Sequence, residues 1–77
     1  MSTLSYRDCC DRVVAAAKTA LPGQTILWAA KYAMAGRYFS DPEKMACQAQ
    51  YILSNLSGWR GDEAKLVKAR LKEIANV

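Results

Sequence analysis

From Met45 to Ile74 apolar side chains recur at intervals of three and four residues, with one interruption. Met45, Ala49, Ile52, Leu53 and Leu56 fall on one stripe. Ser57-Gly58-Trp59-Arg60-Gly61 breaks it, and Ala64, Val67, Leu71 and Ile74 resume it. This spacing marks helices that each bury one face, and so short a connection makes them fold back on each other or cross as a corner. Ser40-Asp41-Pro42-Glu43 is a strong start for the first of the pair. Ser40 or Asp41 caps it, Pro42 sits where a missing N–H costs nothing, and Glu43 favours the positive end. That helix runs to about Asn55, and Gly58 is expected to close it in the manner of a C-terminal glycine. The other begins near Gly61 or Asp62 and runs almost to the end. Asp62 and Glu63 lie in its first turn and Lys68, Arg70 and Lys72 follow, the order the helix dipole favours.

Upstream, Ser5 to Leu21 reads as a helix opened by a capping box with Asp8 at its third position. Its stripe is Tyr6, Cys9, Cys10, Val13, Ala17 and Leu21, and Pro22-Gly23 ends it. Thr25 then caps a helix running to about Arg37. This one is unusual. Ile26, Leu27, Ala30 and Met34 form one apolar face, while Trp28, Tyr32, Ala35 and the following Phe39 form a second, nearly opposite; only Lys31 and Arg37 interrupt the ring. Such a helix either lies at the centre of the fold or turns its second face to a partner. The expected architecture is all-α, a compact bundle of four short helices in a single domain spanning residues 1–77, with no strand-like alternation or internal repeat.

Composition narrows the possibilities. The chain has 77 residues, 52% of them hydrophobic and 23% charged, which excludes intrinsic disorder. A domain this small buries only about 60–65% of its unfolded surface, so regular packing or association has to supplement the core. Cys9, Cys10 and Cys47 are an odd set, two of them adjacent. They make a poor disulfide framework and, with no histidine present, a poor zinc site. They read as small core or edge residues in a reducing compartment. There is no signal-peptide pattern and no apolar run of membrane-spanning length, so a cytoplasmic protein without a membrane partner is expected.

No catalytic set is visible, and no cofactor or metal is implied. The absence of histidine removes the ordinary Ser-His and Cys-His nucleophiles, and the four glycines are scattered at element ends rather than gathered in a phosphate loop. The expected protein is not an enzyme. Nucleic-acid binding has more to support it. The net charge is +4, and the span from Arg12 to Ser40, Arg12 included, holds four basic residues and no acid. Lys31 beside Trp28 and Tyr32 resembles a cation-plus-stacking surface, and Lys65, Lys68 and Lys72 form a stripe that could contact phosphates. Against groove reading, the helix that would enter DNA begins with Asp62 and Glu63, and its stripe lacks the side chains that read base edges.

Protein binding accounts for more of the oddities. Helix two has one apolar face too many, and aromatic residues with arginine dominate interface hot spots. Trp28, Tyr32 and Phe39 would supply the apolar contact, directed at another protein or at a second copy in a homodimer, with Trp59 and Arg60 at the rim. Two local roles compete with this at the loop: the Trp59 ring packing across Leu56 and Val67 to lock the corner, and Arg60 capping carbonyls of the preceding helix.

Tyr51-Ile52-Leu53-Ser54-Asn55-Leu56, with Trp59-Arg60-Gly61 and Ala64-Lys65-Leu66-Val67-Lys68, resembles segments of short accessory proteins encoded by bacteriophages and prophages. The resemblance covers about a third of the chain. It implies a protein made in the cytosol of an infected bacterium that binds a host enzyme, regulator or defence complex, or in some cases DNA. The expectation is a non-enzymatic helical interaction module that modulates or inhibits a host protein. The alternative is a small basic DNA- or RNA-binding regulator, and a structural part of a larger particle is a third.

Overall fold

The computed structural model describes residues 4–76, and among them the chain forms four helices: α1 (Tyr6–Ala17), α2 (Ile26–Gly36), α3 (Pro42–Ser54) and α4 (Asp62–Ala75). Each packs against the next in the chain, and α4 returns to α1, which closes the ring around one core. The all-α four-helix architecture is as the periodicity predicts. The Cα radius of gyration is 11.2 Å, close to the ~11.5 Å expected for a compact chain of this length.

The starts of α1 and α3 follow local chemistry. The Ser5 hydroxyl accepts from the Asp8 amide at 3.0 Å, while the Asp8 carboxylate accepts from the Ser5 amide at 3.2 Å, a complete capping box. Asp41, not Ser40, caps α3, accepting from the Glu43 amide at 3.0 Å, with Pro42 in the first turn.

Three boundaries differ from expectation. α1 ends at Ala17, four residues before the predicted Leu21. Lys18, Thr19 and Ala20 bond back only three residues, and the Thr19 hydroxyl caps Ala16. A residue before proline is pushed out of the helical region, so the chain loosens ahead of Pro22 and Leu21 swings into solvent at 68% exposure. Thr25 is not a side-chain cap. It is already helical, at φ −65° and ψ −23°, because a turn through Gln24 and Thr25 precedes α2. Gly58 does not close α3 in a left-handed conformation; the helix stops at Ser54, with Asn55 donating to the Tyr51 carbonyl at 3.0 Å. The left-handed positions are Gly23, Gly61 at the start of α4, and Asn76 after its end.

The core is built from the predicted stripes. Cys9, Cys10 and Val13 of α1, Ile52 and then Leu56 after α3, and Val67 and Leu71 of α4 are all completely buried. Each of the larger ones contributes about 1.5–3 kcal/mol of transfer free energy. Ala75 takes the buried place expected of Ile74, which is half-buried. The departure is α2, whose buried residues are Ile26, Ala29, Ala30, Ala33 and Gly36. Met34, assigned to the core face, is 58% exposed. A face of small residues lets α2 approach its neighbours closely. At Gly36 a Cβ would stand 2.6 Å from Gln48 Cγ and 2.9 Å from the Tyr6 hydroxyl. That hydroxyl donates to the Gly36 carbonyl at 2.8 Å, and the Gln48 amide donates to the Tyr32 carbonyl at 2.7 Å. One glycine thus joins α1, α2 and α3.

Gly36→Ala should therefore destabilise the fold by about 1–3 kcal/mol, the usual cost of overpacking. Gly58→Ala, where a Cβ meets nothing within 4 Å, should change stability by less than about 1 kcal/mol; urea denaturation of the two variants tests the pair. Burial also pushes the Cys9 thiol from near 9 up to about 11 and raises Cys10 and Tyr6. These groups hold their protons more tightly folded than unfolded, so stability unaffected by them below pH 9 should fall as the pH rises toward about 11. Urea midpoints across that interval should show the loss, reduced by about 2 kcal/mol in Cys9→Ala.

Candidate functional site

The inward turn of the small residues on α2 sends its large ones outward. At about 100° per residue, Trp28, Lys31, Tyr32, Met34 and Ala35 occupy the arc opposite Ile26, Ala29, Ala30, Ala33 and Gly36. Trp28 is 57% exposed and Tyr32 37%, and a spacing of four places them one turn apart on the same surface. Tyr51 of α3, 53% exposed, stacks on Tyr32 with ring centroids 5.4 Å apart and planes 18° apart. The row Trp28–Tyr32–Tyr51 thus crosses from α2 to α3. Its one charge is Lys31, whose Nζ lies 4.4 Å from the Trp28 ring centroid. The exposed apolar area of this row is on the order of 300 Å², the size at which a patch on a small protein commonly marks an interaction site.

The residues assigned to one contact surface from the sequence are divided by the fold. Trp28 and Tyr32 share the α2 face. Phe39 instead lines a separate open depression of about 490 Å³ with Tyr38, Met45 and Ile74, framed by Arg7, Arg37 and Arg70. Trp59 is half-buried and packs on the core at the corner between α3 and α4. It also walls a cavity of about 340 Å³ shared with Thr19, Gln24 and Thr25. Its carbonyl accepts from Lys68 Nζ at 2.5 Å. Arg60 is exposed at the edge of a shallow recess with Ser57, Lys65 and Lys68. It makes no side-chain hydrogen bond among the described residues, so the carbonyl cap on α3 that the sequence allowed is not formed.

The lysine stripe on α4 is likewise uneven. Lys65 and Lys72 are exposed, but Lys68 is half-buried and committed to the Trp59 carbonyl, which removes the middle of the proposed phosphate contact. Among the described residues no group of three or more His, Cys, Asp or Glu is placed to hold a metal ion, and no helix is long and apolar enough to cross a membrane. Cys9 and Cys10 are buried while Cys47 is exposed, and all three are free thiols.

Two features escaped the sequence reading. Tyr51 sits off the buried stripe of Ala49, Ile52 and Leu56, so an aromatic on the polar side of an amphipathic helix was a local signal for it. Arg7, Arg37 and Arg70 gave none, because they lie some thirty residues apart and meet only in the folded chain. The protein is therefore an all-α, four-helix molecule bearing an aromatic surface row and an arginine-framed depression. No family model matches the chain, and no curated protein or solved structure matches it.

Proposed function

We propose that the protein is a non-enzymatic helical interaction module whose contact surface is the outer face of α2 extended by Tyr51 of α3. One observation carries this reading: α2 buries Ala29, Ala30 and Ala33 and exposes Trp28, Tyr32 and Met34, the reverse of what a helix serving only its own core does. Side chains of this kind form the centres of interfaces, and a standard interface buries about 800 Å² per partner. The aromatic row covers part of that area, with Lys31 able to meet a carboxylate beside it.

The resemblance to phage and prophage accessory proteins supplies the setting. The partner is a host enzyme, regulator or defence complex in the bacterial cytoplasm, and binding modulates or inhibits it. In the free protein the same row pairs two copies as a homodimer. Its limited area makes that association weak enough for a target to displace. Trp28→Glu places a charge at the α2 end of the row without touching the core. In sedimentation experiments the wild type should gain mass with concentration, while the variant remains monomeric and melts at the temperature of the dilute wild type. Capture of a bacterial host protein should be lost in parallel. A strictly monomeric wild type whose capture survives Trp28→Glu overturns the reading.

A second reading, a small basic DNA- or RNA-binding regulator, is supported by one contact: Lys31 seated on the exposed Trp28 ring, a pairing suited to a stacked base beside a phosphate. Lys65 and Lys72 would add charge, with Lys68 withdrawn by its bond to the Trp59 carbonyl. Gel retardation of single- and double-stranded nucleic acid at low salt, with affinity falling steeply as salt is added, would favour it. Absence of retardation eliminates it.

A further inference from the structure

We infer that the depression framed by Arg7, Arg37 and Arg70 is a second docking site, and that its occupant is an acidic peptide segment with a pair of large apolar side chains at its centre. The three arginines come from α1, the end of α2 and α4, and they border a floor that includes Phe39 and the half-buried Met45 and Ile74. Tyr38 stands at the edge, 71% exposed. The Arg7 guanidinium carbon lies 4.4 Å from its ring centroid and that of Arg37 lies 5.5 Å away. One aromatic ring therefore holds two like charges close together, an arrangement that favours an anion between or beside them.

The protein's own acids answer this charge incompletely. Asp11 pairs with Arg37 through one terminal nitrogen, leaving Arg37 Nε buried without a hydrogen-bond partner. Arg70 donates its Nε to the Leu4 carbonyl at 2.6 Å and has Glu73 at 3.7 Å. Arg7 has no acidic partner within ion-pair distance among the described residues. Its planar fork remains free for a carboxylate, which it can bind through two parallel bonds.

The floor decides between anionic partners. Met45 and Ile74 offer a thioether and a branched aliphatic surface, which suits an inserted apolar side chain better than a stacked base. Asp11 and Glu73 already pair with Arg37 and Arg70, so the depression offers one guanidinium without an acidic partner, that of Arg7, rather than the continuous positive track along which a phosphate backbone runs. A short peptide can place a carboxylate on Arg7. This site uses none of Trp28, Tyr32 or Tyr51, so it stands or falls independently of the α2 face.

Fluorescence anisotropy with a labelled peptide Glu-Glu-Leu-Phe-Glu-Glu tests the inference. The wild type should bind it with an affinity that falls as salt is added, and Arg7→Glu, an exposed position, should weaken binding by about tenfold or more. Replacing Leu-Phe by Gly-Gly in the peptide should weaken it similarly, while Trp28→Glu should leave it unchanged. Should Arg7→Glu prove unfolded by circular dichroism, Arg7→Gln is measured in its place with the same direction expected. The inference is overturned by no binding at millimolar peptide, by equal binding of Lys-Lys-Leu-Phe-Lys-Lys, by an unchanged affinity in the folded arginine variant, or by a single-stranded oligothymidylate that binds more tightly at the same residues.

Discussion

The contact on which the rest of the structure depends is the approach of α1 and α3 to Gly36. The Tyr6 hydroxyl, which donates to the Gly36 carbonyl, and the Gln48 side chain both close on the point where a Cβ would stand. No side chain larger than hydrogen fits between them without movement. The constraint extends along α2 through Ala33, Ala30 and Ala29, whose small volumes keep the helix close to both neighbours. A helix seated this tightly has no interior space for Trp28, Tyr32 or Met34. Their exposure is thus a consequence of how the core closes, and the aromatic row on the surface is the outer side of the same packing arrangement.

The periodicity of the chain was sufficient for the helices, because by the ordinary rule the apolar stripes of α1, α3 and α4 face inward, Tyr51 and Leu66 lying off them in solvent. Cys9, Val13, Ile52, Leu56, Val67 and Leu71 are buried where spacing put them. α2 breaks that rule, and hydrophobicity is a poor guide to it. Alanine ranks as weakly apolar and tryptophan and methionine as strongly so, yet close approach selects for volume. The sequence showed two apolar faces on α2, but the buried one is neither of them: Ala29, Ala33 and Gly36 join Ile26 and Ala30, a row set by Gln48 and Tyr6, which lie outside α2 on its neighbours. The loop glycines followed a similar logic. Gly58 and Gly61 look equivalent in the sequence, and only Gly61 adopts the positive φ that requires glycine.

Charge was harder still to read. The lysine stripe of α4 is a local pattern and was visible, but its middle member spends its amine on the Trp59 carbonyl, a bond that depends on how the loop settles. The exposed pair Arg12–Glu63, at 3.1 Å between α1 and α4, resembles a fastening in the coordinates but contributes at most about 1 kcal/mol in water. Apolar burial between those two helices does far more. The arginines of the depression act differently because Arg37 and Arg70 are partly buried, Arg7 and Arg37 share one aromatic ring, and all three lie beside an apolar floor. Their significance comes from that local dielectric environment rather than from the net charge of +4.

The two surfaces also differ in the partner chemistry they admit. The α2 row is almost uncharged and wide, so its attraction is governed by apolar area and should change little with salt. The depression at Tyr38 is cationic above an apolar floor, so its attraction combines apolar anchoring with electrostatic steering that salt weakens. Phe39 links the two readings of the chain. Its position just after α2 suggested membership of the aromatic row, yet the turn through Arg37 and Tyr38, held by the Phe39 amide bonding back to the Gly36 carbonyl at 3.0 Å, carries it to the arginine site. The Gly36 carbonyl accepts both that amide and the Tyr6 hydroxyl. The backbone group that locks α2 against α1 therefore also directs the chain that lines the depression, coupling the close packing at Gly36 to the arginine site.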